Sequence, residues 1–289
     1  MEGEFLHREA SIVAIFPLSS AASICRRTFS CQRGALTIRG TEYRPSGDHL
    51  PVAIVCHGFM AFQQTVRQYA KALAAIGYCA YCFDFCGGSV AHLGKSDGAT
   101  TEMSVLTEVA DLEAVIAYVQ GLPYTTSSLL LMGCSQGGMV SALTAAKHPD
   151  AVARLALFYP AFCIPDDARA GQMMMAHFDP QHLPERIPCG PMLLGRCYPE
   201  AVLQMDVFHE IAPYTGRVLI VHGTADSIVS PDYARRAAAS YENAALHLIA
   251  GGKHGFSRQH DAEAIRLLTE FAALPRKAQE GEASAHDHR

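Results

Sequence analysis

Short apolar runs alternate with amphipathic stretches along most of the chain, and turn-forming residues close each run. The runs occupy residues 52–56, 79–83, 129–132, 155–158, 218–221 and 246–249. Their apolarity is continuous rather than alternating, which predicts parallel strands buried on both faces. Between them lie helical patterns. In the clearest, Val105, Val109, Leu112, Ile116 and Val119 form one stripe, Thr107, Glu108, Asp111 and Glu113 point elsewhere, and Gly121 and Pro123 end the helix. Another turns Val66, Tyr69, Ala70, Leu73 and Ile76 inward before Gly77, and a last one carries Leu267, Phe271 and Leu274 before Pro275. Parallel neighbours need a crossover connection, so this alternation predicts an open, mostly parallel sheet with helices on both faces.

Two regions break the rhythm. Residues 161–214 hold seven prolines and the consecutive Met173, Met174 and Met175 where one helix is due, and they read as an inserted cap. Near the start, residues 36–43 alternate as an antiparallel edge strand with which residues 26–30 can pair, while residues 1–25 stay unassigned. From residue 276 the chain is polar and aperiodic, as expected of a loose tail. One domain over residues 26–275 accounts for the rest.

Composition narrows the classes. A chain of 289 residues that is 49% hydrophobic and 18% charged buries a large core, which excludes intrinsic disorder. A net charge of −5 without a dense Lys/Arg stripe argues against a nucleic-acid partner. The apolar stretch at 11–25 is broken by Pro17 and is shorter than the roughly 20 residues a membrane span needs. Glu2, Glu4 and Glu9 precede it, the wrong charge for a secretory leader. Ten cysteines in so apolar a chain read as buried small hydrophobes in a reducing compartment, so the cytoplasm is expected. Cys79 and Cys82 have C-x-x-C spacing, but residues three apart on a strand face opposite ways, so a redox or zinc role is not expected. The tail's His286 and His288 are too few for a metal site, and neither metal nor cofactor is predicted.

The candidate chemistry centres on Gly133-Cys134-Ser135-Gln136-Gly137, directly after an apolar strand and directly before a helical pattern. A sharp strand-to-helix turn crowds its neighbours, so glycines at 133 and 137 leave space while Ser135 is held proud of the sheet. A serine hydroxyl needs a base, and the base needs a partner that sets its tautomer. Among fourteen histidines, His254 sits in a Gly-rich turn between the last strand and the last helix, and Asp226 occupies the equivalent turn one strand earlier. Both turns lie on the strands' carboxyl edge, where open sheets bind ligands. Backbone N–H groups of Gln136 and of Phe59, in the turn His57-Gly58-Phe59, are the expected oxyanion donors, with His57 bracing that turn. Each residue also has a plainer reading: Ser135 as a helix cap, His254 as loop packing, and Asp226 as a turn former with Asp232 or Asp206 as the acid.

Taken together, His57-Gly58-Phe59, Asp84-Phe85 with Ser96-Asp97-Gly98, Gly133 to Gly138, His222-Gly-Thr-Ala-Asp226 and Lys253-His254-Gly255-Phe256 resemble the α/β-hydrolase superfamily. The nearest resemblance is to bacterial cinnamoyl (feruloyl) esterases, and it covers about residues 26–274, the cap included. It implies carboxylester hydrolysis by a Ser135–His254–Asp226 triad, a small-molecule ester as partner, and a cap that shapes an aromatic acyl pocket. Within that pocket Asp167 matches a phenol-binding carboxylate, and Met174 stands where a polar residue is the usual pattern. The glycine-rich loop at 86–95 is longer than usual. A serine peptidase of the aminopeptidase or oligopeptidase type uses the same triad and is the alternative, and a non-catalytic binding protein on this fold is a third reading. The cap's exposed surface is a place where two copies could pair as a homodimer.

Overall fold

Eight strands pair in the order Cys25–Arg33, Leu36–Arg44, Cys79–Asp84, Leu50–Cys56, Thr125–Cys134, Val152–Phe158, Arg217–Gly223 and Ala244–Ile249 in the computed structural model, which describes residues 23–90 and 93–273. In chain order the elements begin with β1 (Cys25–Arg33), β2 (Leu36–Arg44), β3 (Leu50–Cys56), α1 (Arg67–Ala75), β4 (Cys79–Asp84), α2 (Val105–Gln120), β5 (Thr125–Cys134), α3 (Gln136–Lys147) and β6 (Val152–Phe158). Short pieces follow: α4 (Ile164–Arg169), the hairpin β7 (Gln172–Met173) and β8 (Ala176–His177), the hairpin β9 (Arg186–Cys189) and β10 (Met192–Gly195), α5 (Cys197–Glu200) and α6 (Val207–Ile211). The chain then returns to the sheet with β11 (Arg217–Gly223), α7 (Pro231–Ser240), β12 (Ala244–Ile249) and α8 (Arg258–Ala273). This is the mostly parallel, helix-flanked sheet of the α/β-hydrolase fold, with antiparallel pairing confined to β1, β2 and the β2–β4 seam.

Strand alternation sorts the core into two layers. Ile54, Cys79, Tyr81 and Phe83 face a cluster that includes Leu112 and Val115 of α2, Met139 and Val140 of α3, and Ala234 of α7. Ala53, Val55, Ala80 and Cys82 face Tyr69 and Leu73 of α1 and Leu268 and Phe271 of α8. Cys79 and Cys82 therefore lie in opposite layers, and all ten cysteines are free thiols. Among the described residues no helix is long and apolar enough to cross a membrane.

Four expectations need correction. Residues 36–43, expected as an edge strand, belong to β2, which lies inside the sheet between β1 and β4, because β1 pairs along its outer side. Glu108 and Asp111, expected to point away from the apolar stripe of α2, are nevertheless buried, because the helix packs against α3 as well as against the sheet, its edge strand β1 included. Asp111 accepts hydrogen bonds from Arg33 of β1 and, at 2.8 Å, from the Cys86 N–H. Ile76, expected inward, is 42% exposed, since α1 stops at Ala75 and Ile76 forms its non-helical cap. The run at 246–249 is not covered on both faces either. β12 is an edge strand, and Leu248 is 36% exposed. The expectations for residues 1–22, Leu274 and the tail lie outside the described residues.

Candidate active site

Steric crowding at the end of β5 explains the glycines around Ser135. A Cβ on Gly133 would stand 2.1 Å from the carbonyl oxygen of Gly137, and one on Gly137 would stand 2.3 Å from that of His57. Ser135 itself adopts φ +53° and ψ −122°, a conformation that costs on the order of 1–3 kcal/mol for a residue with a side chain. The turn is held by its own backbone: the Ser135 N–H donates to Phe158 at 2.9 Å, and the Ser135 carbonyl accepts from Gly138 at 2.9 Å and Ala161 at 3.0 Å.

The carboxyl ends of three parallel strands bring distant residues together. His254, in the turn after β12, places Nε2 2.9 Å from Ser135 Oγ and Nδ1 2.8 Å from Asp226 Oδ2. The carboxylate accepts at Nδ1, so that nitrogen carries the proton and leaves Nε2 as acceptor for the serine hydroxyl. Asp226, in the turn after β11, is held on its other side by the N–H groups of Ile228 at 2.9 Å and Val229 at 3.0 Å, which accept nothing and donate to Oδ1. Burial alone would raise its carboxyl. Hydrogen bonds from His222, His254 and the Val229 N–H outweigh burial and hold the group well below the usual carboxylate range. The two other candidate acids are engaged elsewhere. Asp232 pairs with Arg235, and Asp206 accepts from His209 N–H at the start of α6.

The imidazole is also supported from the side. The Tyr159 ring meets it edge-on at 4.8 Å between centroids, and Phe256 meets Tyr159 at 4.9 Å. Tyr159 and Phe256 both have positive φ, +38° and +28°, so non-glycine residues in strained backbone bracket the histidine as well as the serine.

The His57-Gly58-Phe59 turn approaches Ser135 so closely that a Cβ on Gly58 would lie 3.0 Å from Ser135 Cβ. His57 is fully buried and braces this turn: its Nδ1–H donates to the Gly58 carbonyl at 2.8 Å, and its Nε2 accepts from the Phe85 N–H at 3.1 Å. Burial pushes its pKa down, in keeping with a neutral ring that donates through one nitrogen and accepts through the other. Phe59 follows in that turn, and Gln136 opens α3 beside Ser135.

Asp167 and Met174 lie in the segment between β6 and β11. Asp167 is partly buried on α4, where burial raises its carboxyl and the Cys163 thiol donates to it. Met174 occupies the turn between β7 and β8 with φ +55° and is 48% exposed, whereas its neighbour Met173 is buried. Neither is hydrogen-bonded to Ser135, His254 or Asp226 among the described residues. Four neighbours of the site had no role assigned from the sequence. His222 stands four residues before Asp226 and contacts it, Tyr159 supports His254, and the buried pair Glu108 and Tyr198 grips the Gln136 side chain. Only His222 left a local signal, its i, i+4 spacing from the acid.

The family described as serine aminopeptidase, S33, matches residues 47–193, a span that contains the His57 turn and the Ser135 elbow. The chain belongs to this family of hydrolases. Asp226 and His254 lie beyond the matched span of the S33 family, so their place beside Ser135 rests on the fold. No curated protein matches the chain in sequence. Among solved structures, Est1E from Butyrivibrio proteoclasticus with ferulic acid bound is 25% identical, with a TM-score of 0.79 over 84% of this chain and 97% of that one. A second structure of Est1E gives 23% identity and a TM-score of 0.75 over 85% and 97% of the two chains. A putative hydrolase from Agrobacterium vitis S4 shares the fold at 20% identity and a TM-score of 0.64, over 87% and 98%.

Proposed function

We propose that this S33-family hydrolase is a serine carboxylesterase that cleaves a small ester through an acyl-enzyme. The observation that carries the reading is the continuous hydrogen-bonded line from Ser135 Oγ through His254 to Asp226. As Oγ attacks the ester carbonyl, His254 Nε2 takes the serine proton, and Asp226 stabilises the imidazolium without itself taking the proton. The carbonyl oxygen becomes an oxyanion, for which the N–H groups of Phe59 and Gln136 are the donors, each worth about 3–4 kcal/mol in the transition state. His254 then protonates the leaving alcohol as the C–O bond breaks. Water enters, gives its proton to His254 and attacks the acyl carbon. Ser135 leaves with that proton, and the acid is released.

The acyl group we propose is aromatic, of the hydroxycinnamoyl type. Likeness to Est1E, whose structure holds ferulic acid, supports this. So does Asp167, whose partly buried carboxyl is suited to accept a phenol hydrogen bond, with Met174 as an adaptable apolar wall. The free thiols support a reducing, cytoplasmic setting. The family's description favours a second reading, a serine peptidase on the same triad. Turnover of methyl ferulate without turnover of aminoacyl nitroanilides supports the esterase, and the reverse result selects the peptidase.

A further inference from the structure

Tyr198 touches both residues to which the oxyanion donors are assigned. Its ring centroid lies 5.4 Å from that of Phe59, and its hydroxyl donates to Gln136 Oε1. Tyr198 belongs to α5, in the segment between β6 and β11, and is almost wholly buried. The Gln136 amide is gripped at its other end as well, because Nε2 donates to Glu108 Oε2 at 2.8 Å. Burial keeps both the Tyr198 phenol and the Glu108 carboxyl protonated well above their ordinary values, so the phenol remains a donor. Three elements thus meet at one glutamine: α2 through Glu108, α3 through Gln136 itself, and α5 through Tyr198.

We propose that Tyr198 is a positioning residue that holds the two oxyanion donors in register, so that the seating of the inserted segment sets turnover. The inference rests on the esterase reading. An oxyanion hole lowers the barrier only when its donors already stand where charge will develop, to within about 0.5 Å. The Gln136 N–H moves with its residue, whose side chain is tethered at both ends, and Phe59 is steadied through its ring. Without the tyrosine hydroxyl, Gln136 Oε1 becomes a buried acceptor with no donor from α5. That imbalance is relieved by moving the residue, which carries the N–H away from the oxyanion. A ground-state carbonyl needs these donors less than an oxyanion does, so the loss falls on kcat rather than KM.

The test is Tyr198→Phe assayed with p-nitrophenyl acetate, whose small acyl group excludes an effect on an aromatic acyl pocket. The expected result is a fall in kcat of about tenfold with KM within about twofold. A trifluoromethyl ketone, which binds as a tetrahedral oxyanion, loses affinity by the same factor. Phe59→Leu withdraws the ring contact but keeps the backbone N–H. It shows the same split and decides the matter alone if Tyr198→Phe does not fold. Unchanged kcat and unchanged ketone affinity in a variant that melts like the wild type would overturn the inference. A raised KM at constant kcat would overturn it too, by making Tyr198 a substrate contact. Fluorophosphonate labelling of the wild type separates the two levels: without labelling at Ser135 the esterase reading falls and takes this inference with it, whereas labelled wild type with unaffected variants overturns only the role of Tyr198.

Discussion

His222 Nε2 lies 3.1 Å from Asp226 Oδ2, the same oxygen that His254 Nδ1 approaches to 2.8 Å. The His222 N–H also points to the Val229 carbonyl at 3.0 Å, while its Nδ1 has no hydrogen-bond partner among the described residues. Asp226 is therefore held by two imidazoles and two backbone N–H groups. Removing one of these four partners and changing the acid itself have different consequences. His222→Phe leaves three donors in place, so kcat falls by less than about tenfold, while the orphaned Val229 carbonyl costs about 1–3 kcal/mol of stability. In Asp226→Asn the backbone donors keep the side-chain oxygen, so the amide nitrogen faces His254 and imposes the wrong tautomer. A loss of about 10⁴-fold in kcat follows. Steady-state kinetics and urea denaturation of both variants check the contrast.

Ser135 sits in a backbone conformation that glycine adopts more easily. Ser135→Ala and Ser135→Gly are both expected to lose turnover, but the glycine variant relieves strain that alanine retains. It should be more stable than the alanine variant by about 1 kcal/mol. Thermal melting of the pair gives the sign. A less stable glycine variant would mean that the elbow is not strained.

Gly137→Ala forces a Cβ to within 2.3 Å of the His57 carbonyl and 2.7 Å of the Cys56 carbonyl, both backbone atoms that have little room to move. A loss of at least about 3 kcal/mol, or failure to accumulate soluble protein, is the expected outcome. Gly251 is the control. It lies in open space but at φ +69°, so alanine there meets only local backbone strain of about 1 kcal/mol.

Burial raises the Glu108 carboxyl well above its ordinary 4.5. Between that value and the folded pKa the unfolded chain releases a proton that the folded protein keeps, so stability declines as pH rises. Glu108→Gln removes the titration while keeping an acceptor for Gln136 Nε2. The variant should match the wild type near pH 4 and become progressively the more stable of the two towards pH 8, as read from melting temperatures across that range. Parallel curves would show that Glu108 ionises freely in the folded state.

The parallel strands were legible because their apolar runs are local, and the elbow was legible because two glycines flank a serine between a strand and a helix. Glu108 and Asp111 were not. Periodicity places them off the apolar stripe, and nothing in a single helix reveals that Arg33, 78 residues away in sequence, and Gln136, 28 residues away, close over that face. Leu248 misled for the converse reason, since an apolar run at a sheet edge reads like one at its centre. The support that Tyr159 and Tyr198 give to His254 and Gln136 arises from the folding of the segment between β6 and β11 and the neighbouring strand ends. Sequence spacing carries no trace of it.

The proposed esterase depends on two residues distant in sequence, His254 and Asp226, to make Ser135 a nucleophile. Intact-mass and peptide mass spectrometry after treatment with a fluorophosphonate tests it most directly. One adduct per chain is expected, on Ser135, with labelling slowed by about 10³-fold or more in His254→Ala. An unlabelled Ser135 in folded wild-type protein, or equal labelling rates with and without the His254 imidazole, would contradict it.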